Sequence, residues 1–153
     1  MPARVIQGLA GLQELVGQEL GTSDWVEITQ ERVNAFADGT DDHQWIHCDP
    51  ARAKAESPYG GTIAHGYLTL SMCPTLTQQI LHIEGVKMII NYGLNRVRFP
   101  NPVRVGARVR MVAELLEVKE TRAGAQVICK QTFEVEGENK PACIAETVVR
   151  LFF

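Results

Sequence analysis

Nothing in this chain of 153 residues approaches the ~20 consecutive apolar residues that a membrane-spanning helix needs. The first ten residues hold one basic side chain, Arg4, and no long apolar stretch, so they do not read as a secretory leader. A cytoplasmic protein is expected. Positive charge is not in excess either. The formal net charge is -3, which argues against general binding to nucleic acid or to anionic membranes. The four cysteines, Cys48, Cys73, Cys129 and Cys143, form no CxxC pair. Free thiols are expected rather than a disulfide framework. Repeats, low-complexity segments and linker-like stretches are also absent. One domain over residues 1–153 is expected, long enough to bury its own core.

Hydrophobic residues make up 45% and charged residues 22%, an ordinary globular balance, so the pattern along the chain carries the information. Residues 8–16 suggest a short amphipathic helix, and Trp25–Ile28 alternates as a short strand would. Thr29 can cap a helix carrying Val33, Phe36 and Ala37. Asp49-Pro50 suits another helix start, with Asp as cap and Pro in the first position. The longest helical pattern runs from about His65 to His82, with Leu68, Met72, Leu76 and Ile80 four residues apart. Pro74 should kink it or open it locally. Strand patterns follow at 88–92, 94–99, 108–119, 126–135 and 143–152. One buried helix followed by an antiparallel meander predicts an α+β fold, with the helix packed on one face of the sheet.

The segment 41–50 crowds Asp41, Asp42, His43, His47 and Cys48 into one stretch. Adjacent carboxylates and imidazoles suit proton transfer, because burial and mutual contact move their pKa values toward working pH. The other reading is a polar loop ending in an Asp-Pro helix cap. Residues 60–68 then place Gly66 at the start of the long helix. A glycine there leaves a backbone N–H unshielded, and such an amide can bind a developing oxyanion. Close packing alone would also account for it.

Taken together, 36–50 and Thr62-Ile-Ala-His-Gly66 resemble the MaoC-like (R)-specific enoyl-CoA hydratase family. Within it, the chain is similar to the nodulation protein N branch and its mycobacterial hydratase relatives. The resemblance runs over nearly the whole chain, including 90–100 and 140–146. It implies a hotdog fold, an antiparallel sheet wrapped around a long central helix, and a homodimer. The family's motif is Asp, any residue, Asn, Pro, an aliphatic residue, His. It places the catalytic pair at Asp42 and His47 and the oxyanion-hole glycine at Gly66. Gln44 and Trp45 stand where the motif has Asn-Pro, as in the nodulation branch. A serine of some family active sites falls at Pro74 and is not carried over.

The implied reaction adds water to a trans-2-enoyl thioester of coenzyme A or acyl-carrier protein, giving an (R)-3-hydroxyacyl thioester. It uses no metal and no cofactor beyond the thioester itself. Gln44, His65, Asn91, Tyr92, Arg96 and Arg98 are assigned to substrate binding, with His65 hydrogen-bonding at the helix start. Residues 87–110 contain Lys87, Arg96, Arg98, Arg104, Arg108 and Arg110 and no acid. This cluster could attract the carrier's phosphates or could be the solvent face of strands. Three rivals stand beside the hydratase: a zinc site built on His43, His47, Cys48 and Asp42, a hotdog thioesterase, and a non-catalytic acyl-thioester binder.

Overall fold

A computed structural model describes residues 2–153, so Met1, the first residue of the expected domain, lies outside the described residues. The chain opens with β1 (Arg4–Ile6), α1 (Gly8–Gln13), β2 (Glu19–Thr22) and β3 (Val26–Glu27). Three helices follow: α2 (Gln30–Thr40), the single turn α3 (Trp45–Cys48) and α4 (Pro50–Glu56). Next come α5 (Gly66–Ser71), α6 (Cys73–Ile80) and β4 (Leu81–Ile83). The long strands close the chain: β5 (Met88–Arg98), β6 (Arg108–Thr121), β7 (Gly124–Val135) and β8 (Cys143–Phe152).

The main sheet is antiparallel, in the order β2-β6-β7-β8-β5, with β3 also paired to β6. β7 is its centre. Alternation along β7 turns Ala125, Val127, Gln131, Phe133 and Val135 to the buried side. The helix pair α5–α6 packs there, and Leu68, Met72, Leu76 and Ile80 join Met111, Leu115 and Phe133 in one core cluster. This is the hotdog arrangement.

The expected 65–82 helix is two helices, and it stops earlier. His65 is the N-cap of α5, and Met72 separates α5 from α6. Pro74 sits in the first turn of α6, where its missing N–H leaves nothing unpaired. Leu81–Ile83 leaves the helix to pair in parallel with β1. The two strands expected at 88–92 and 94–99 are one strand. Register shifts at Asn91/Gly93 and Leu94/Arg96 break its alternation, which explains the divided pattern. β1, β2 and β4 were not expected; at three or four residues they are too short to show a period.

Candidate active site

Local capping places the segment that carries Asp42 and His47. Thr29 Oγ1 accepts from Arg32 N–H at 3.1 Å and starts α2. α2 ends at Asp41 in the left-handed region, φ 59°, which an aspartate tolerates better than most residues. That reversal carries the chain into Asp42 and the turn of α3. The Asp49 side chain accepts from Arg52 N–H at 3.0 Å with Pro50 behind it, so α4 starts where the Asp-Pro pair predicts. The expected cap is present and lies just past the ionisable groups.

Two loops are then laced together. Ile63 N–H donates to Ile46 O at 3.0 Å. His47 Nδ1–H donates back to Ile63 O at 2.7 Å. His65 Nε2–H donates to the Asp42 carbonyl at 3.0 Å. A carbonyl can only accept, so these bonds fix both tautomers. His47 keeps its Nε2 lone pair free. His65 keeps Nδ1 free, and that nitrogen is buried without a partner. The two imidazoles stack, centroids 3.8 Å apart, and Phe36 closes the far side of His65 at 4.9 Å.

The result is an uneven pair of acid–base groups. The Asp42 side chain is half exposed, whereas His47 is buried. Burial pushes the His47 pKa below its usual 6.5, and the neighbouring His65 adds to that. The Ile63 hydrogen bond and the Asp42 charge oppose the shift. His47 is therefore neutral and able to accept a proton at neutral pH. Gln44 N–H leans on Asp42 Oδ1 at 3.4 Å, so it is the backbone of Gln44, at the site of the motif's Asn, that braces the carboxylate.

Gly66 follows His65 directly and opens α5. A Cβ there would meet the Phe99 ring at 3.0 Å, so the ring covers one side of this residue. Its N–H makes no backbone hydrogen bond among the described residues. An unshielded donor at that point can stabilise an oxyanion.

The ligand atoms of Asp42, His47 and His65 lie within 4.8 Å of one another, close enough to consider a metal ion. This is not the zinc set that spacing suggested. His43 turns away, to Asp38 at 2.8 Å, which raises its pKa. Burial pushes the Cys48 thiol up, which disfavours the thiolate, and Cys48 is not one of the three clustered groups.

The other expected residues disperse. Asn91 lines a cavity of about 640 Å³ between α6 and the sheet. Tyr92 lies under the Arg150 guanidinium, 4.1 Å from the ring centroid. Arg96 is exposed on β5, and Arg98 donates to the carbonyl of its own neighbour Val97 at 2.7 Å. The basic cluster is smaller than it looks in sequence. Arg104 pairs with Glu138, Arg108 with Glu136 and Arg110 with Glu134. That leaves Lys87, Arg96 and Arg98 outside these ion pairs.

Sequence reading missed Gln30. Its Nε2 donates to His47 O at 2.7 Å and to Asn34 Oδ1 at 2.9 Å. Its Oε1 accepts from Thr62 Oγ1 at 2.7 Å. One amide thus ties α2 to the loop that carries His47 and to the loop that carries Thr62. No local pattern marks it, because Thr62 is 32 residues away.

Comparison with known proteins agrees with this geometry. The MaoC-like domain matches residues 12–137. A 3-hydroxyacyl-thioester dehydratase Z of Mycobacterium tuberculosis is 53% identical over 148 residues, 96% of this chain and 97% of the relative. Nodulation protein N of Rhizobium meliloti is 46% identical over 92% of this chain and 88% of its own length. Among solved structures, an (R)-hydratase from A. caviae involved in PHA biosynthesis is 28% identical. It superposes with a TM-score of 0.73 over 89% of this chain and 96% of its own. A fold match at 21% identity and TM-score 0.77 is the monoamine oxidase regulatory protein from Archaeoglobus fulgius, covering 100% of this chain and 99% of that one. The chain belongs to the MaoC-like dehydratase family.

Proposed function

We propose that this protein catalyses the reversible addition of water to trans-2-enoyl thioesters, giving (R)-3-hydroxyacyl thioesters, with Asp42 and His47 as the acid–base pair. One observation carries the reading. His47 is locked by Ile63 O in the tautomer whose free Nε2 accepts protons, beside an Asp42 carboxylate within 4.8 Å. One water can bridge two groups that lie within that distance. As the water oxygen attacks C3, one group takes its proton and a proton is returned to C2. Charge gathers on the thioester oxygen as an enolate, and the Gly66 N–H stabilises it. One such donor is worth ~3–4 kcal/mol in the transition state. The step forms one C–O and one C–H bond with no net oxidation or reduction, so it calls for no redox cofactor, and Asp42, His47 and Gly66 carry it without a metal. The carrier is coenzyme A or acyl-carrier protein, its phosphates drawn to Lys87, Arg96 and Arg98. The four thiols are free, which fits a reducing cytoplasm.

A homodimer belongs to the same reading. β5 is an edge strand, and it exposes Met88, Ile89, Ile90, Tyr92 and Leu94, with Phe99 and Tyr67 close by. A long apolar edge of that kind is a pairing surface, and two-fold self-pairing covers it without leaving a new edge open. Light scattering should give about twice 16.9 kDa.

The test is loss of the enoyl-thioester absorbance with crotonyl-CoA and longer 2-enoyl-CoAs, with the product's configuration assigned by an enantiomer-specific dehydrogenase. The reading expects turnover to the (R) product without free thiol. Thiol release would make it a thioesterase. Acyl-CoA binding without turnover would make it a carrier.

A further inference from the structure

His65, one of the residues expected at the substrate, is closed in by the protein itself. Its side chain is 3% exposed. The imidazole stacks on His47, centroids 3.8 Å apart, and Phe36 packs on it at 4.9 Å. Its Nε2–H is spent on the Asp42 carbonyl at 3.0 Å. Its Nδ1 is buried without a partner, out of reach of a ligand atom.

The imidazole does not serve the helix either. His65 is the N-cap of α5, but its side chain makes no capping bond. Asn, Asp or Ser would suit a helix start better. The main chain is also held there without the side chain. Ala64 N–H donates to Val103 O at 2.8 Å, and Leu68 N–H donates to His65 O at 3.1 Å. A buried nitrogen left unpaired carries a cost. What the residue gains in return are its two remaining contacts, and they fall on Asp42 and His47.

The Nε2–H holds the Asp42 main chain and leaves the carboxylate free, because Oδ2 lies 3.9 Å away, beyond hydrogen-bond range. The ring supports the imidazole of His47, whose ring hydrogen bond is to Ile63 O at 2.7 Å. One bond lets an imidazole swing about it. A stacked neighbour removes that freedom and keeps Nε2 aimed at one place. His65 then runs into Gly66 through a single rigid peptide unit.

We propose that His65 is a positioning residue for the acid–base pair: its Nε2–H fixes the Asp42 main chain, its ring fixes His47, and its peptide bond ties both to the Gly66 amide. It neither binds substrate nor moves a proton. The inference rests on the hydratase reading and adds a residue to its machinery.

Two substitutions separate the contacts. His65→Gln keeps a donor near the Nε2 position and loses the stack. His65→Phe keeps a flat ring and loses the donor. The experiment measures kcat and KM for crotonyl-CoA in both and in His65→Ala, with nitrogen NMR spectra of labelled histidine rings on the same preparations. Each conservative variant should lose about 10-fold in kcat and His65→Ala about 100-fold, the scale of a ~1 Å misplacement, with KM changed by less than about twofold. The chain has four histidines, so the ring signals can be assigned by single substitutions. In wild type His47 should be the pure Nδ1–H tautomer and His65 the pure Nε2–H tautomer. His47 should keep its single tautomer in His65→Phe and lose it in His65→Gln.

A raised KM at unchanged kcat would make His65 a substrate contact and overturn the inference. Wild-type kcat in folded His65→Ala overturns it as well, since the residue then serves stability alone. So do losses in both conservative variants as large as that of His47→Gln, which would make His65 a proton carrier. A wild-type His65 with its proton on Nδ1 also overturns it, and that result needs no variant to fold. If wild type turns over no enoyl-CoA, the hydratase reading fails, while the tautomer spectra still test whether His65 holds His47.

Discussion

Replacing Gln30 by leucine removes three hydrogen bonds at one stroke, those to His47 O, Asn34 Oδ1 and Thr62 Oγ1. Each intramolecular bond is worth ~0.5–1.5 kcal/mol net. The Asn34 bond is exposed and belongs at the low end, while the other two are part-buried. Leucine also leaves the His47 carbonyl and the Thr62 hydroxyl without their partner. The sum is about 2–3 kcal/mol, which for a chain of this length lowers Tm by about 4–12 °C. The kinetic effect should be larger in proportion, because the lost bond held the main chain of His47. A misplacement of ~1 Å at a reacting group costs ~10²-fold. Gln30→Leu should therefore lower kcat for crotonyl-CoA by about 10- to 100-fold with little change in KM. Asn34→Ala, which removes only the exposed bond, should shift stability by under ~0.5 kcal/mol and leave kcat intact. Thermal melts by circular dichroism and initial rates on the same preparations measure both. A Gln30→Leu protein with wild-type Tm and wild-type kcat would show that this amide does not position the catalytic loop.

Three further outcomes are expected. The folded pKa of His47 lies below the unfolded 6.5, so between those values the unfolded chain binds more protons; stability should fall as pH drops below about 6.5, and His47→Gln should flatten that part of a Tm–pH curve. The acid limb of kcat/KM should likewise lie below pH 6.5, and a limb above it would contradict a buried neutral imidazole. Gly66→Ala should lower kcat for crotonyl-CoA by at least ~10-fold, with a small loss of Tm, because the half-exposed Phe99 ring can move aside from a methyl at 3.0 Å while the oxyanion donor becomes shielded. Cys73, Cys129 and Cys143 are pushed up to about 12, 12 and 11, so a thiol reagent at neutral pH should leave them unmodified until the protein is denatured, and mild reductant should not change Tm.

What was legible in the sequence follows from how local each signal is. Thr29, Asp49-Pro50 and Pro74 act within one helical turn, and each does in the structure what its residue type predicts. The long strands β6, β7 and β8 show their two-residue period because one face is buried along their length. β5 does not, since its edge is exposed on both faces and its register shifts twice. The pairing of Asp42 with His47 rested on a five-residue spacing that a family motif made meaningful. Spacing alone could not have separated His47 from His43; burial and the Ile63 carbonyl do that. His65 was expected to bond at the helix start. The structure adds that it stacks on His47 and holds the Asp42 carbonyl. Gln30 was invisible because its partner Thr62 is far along the chain. The pairing of Arg104, Arg108 and Arg110 could not be read locally, because the glutamates that neutralise them come from the next hairpin, at 134–138.

The central claim is that Asp42 and His47, and not their chemical twins next door, move the protons. Rates of crotonyl-CoA hydration for Asp42→Asn, His47→Gln, Asp41→Asn and His43→Gln, each checked for fold by circular dichroism, test it most directly. Asp42→Asn and His47→Gln should each lose at least ~10²-fold, the usual scale for a positioned acid or base. Their double variant should lose little more, because the two act as a unit on one water. Asp41→Asn and His43→Gln should keep most activity. Wild-type rates in folded Asp42→Asn would contradict the account.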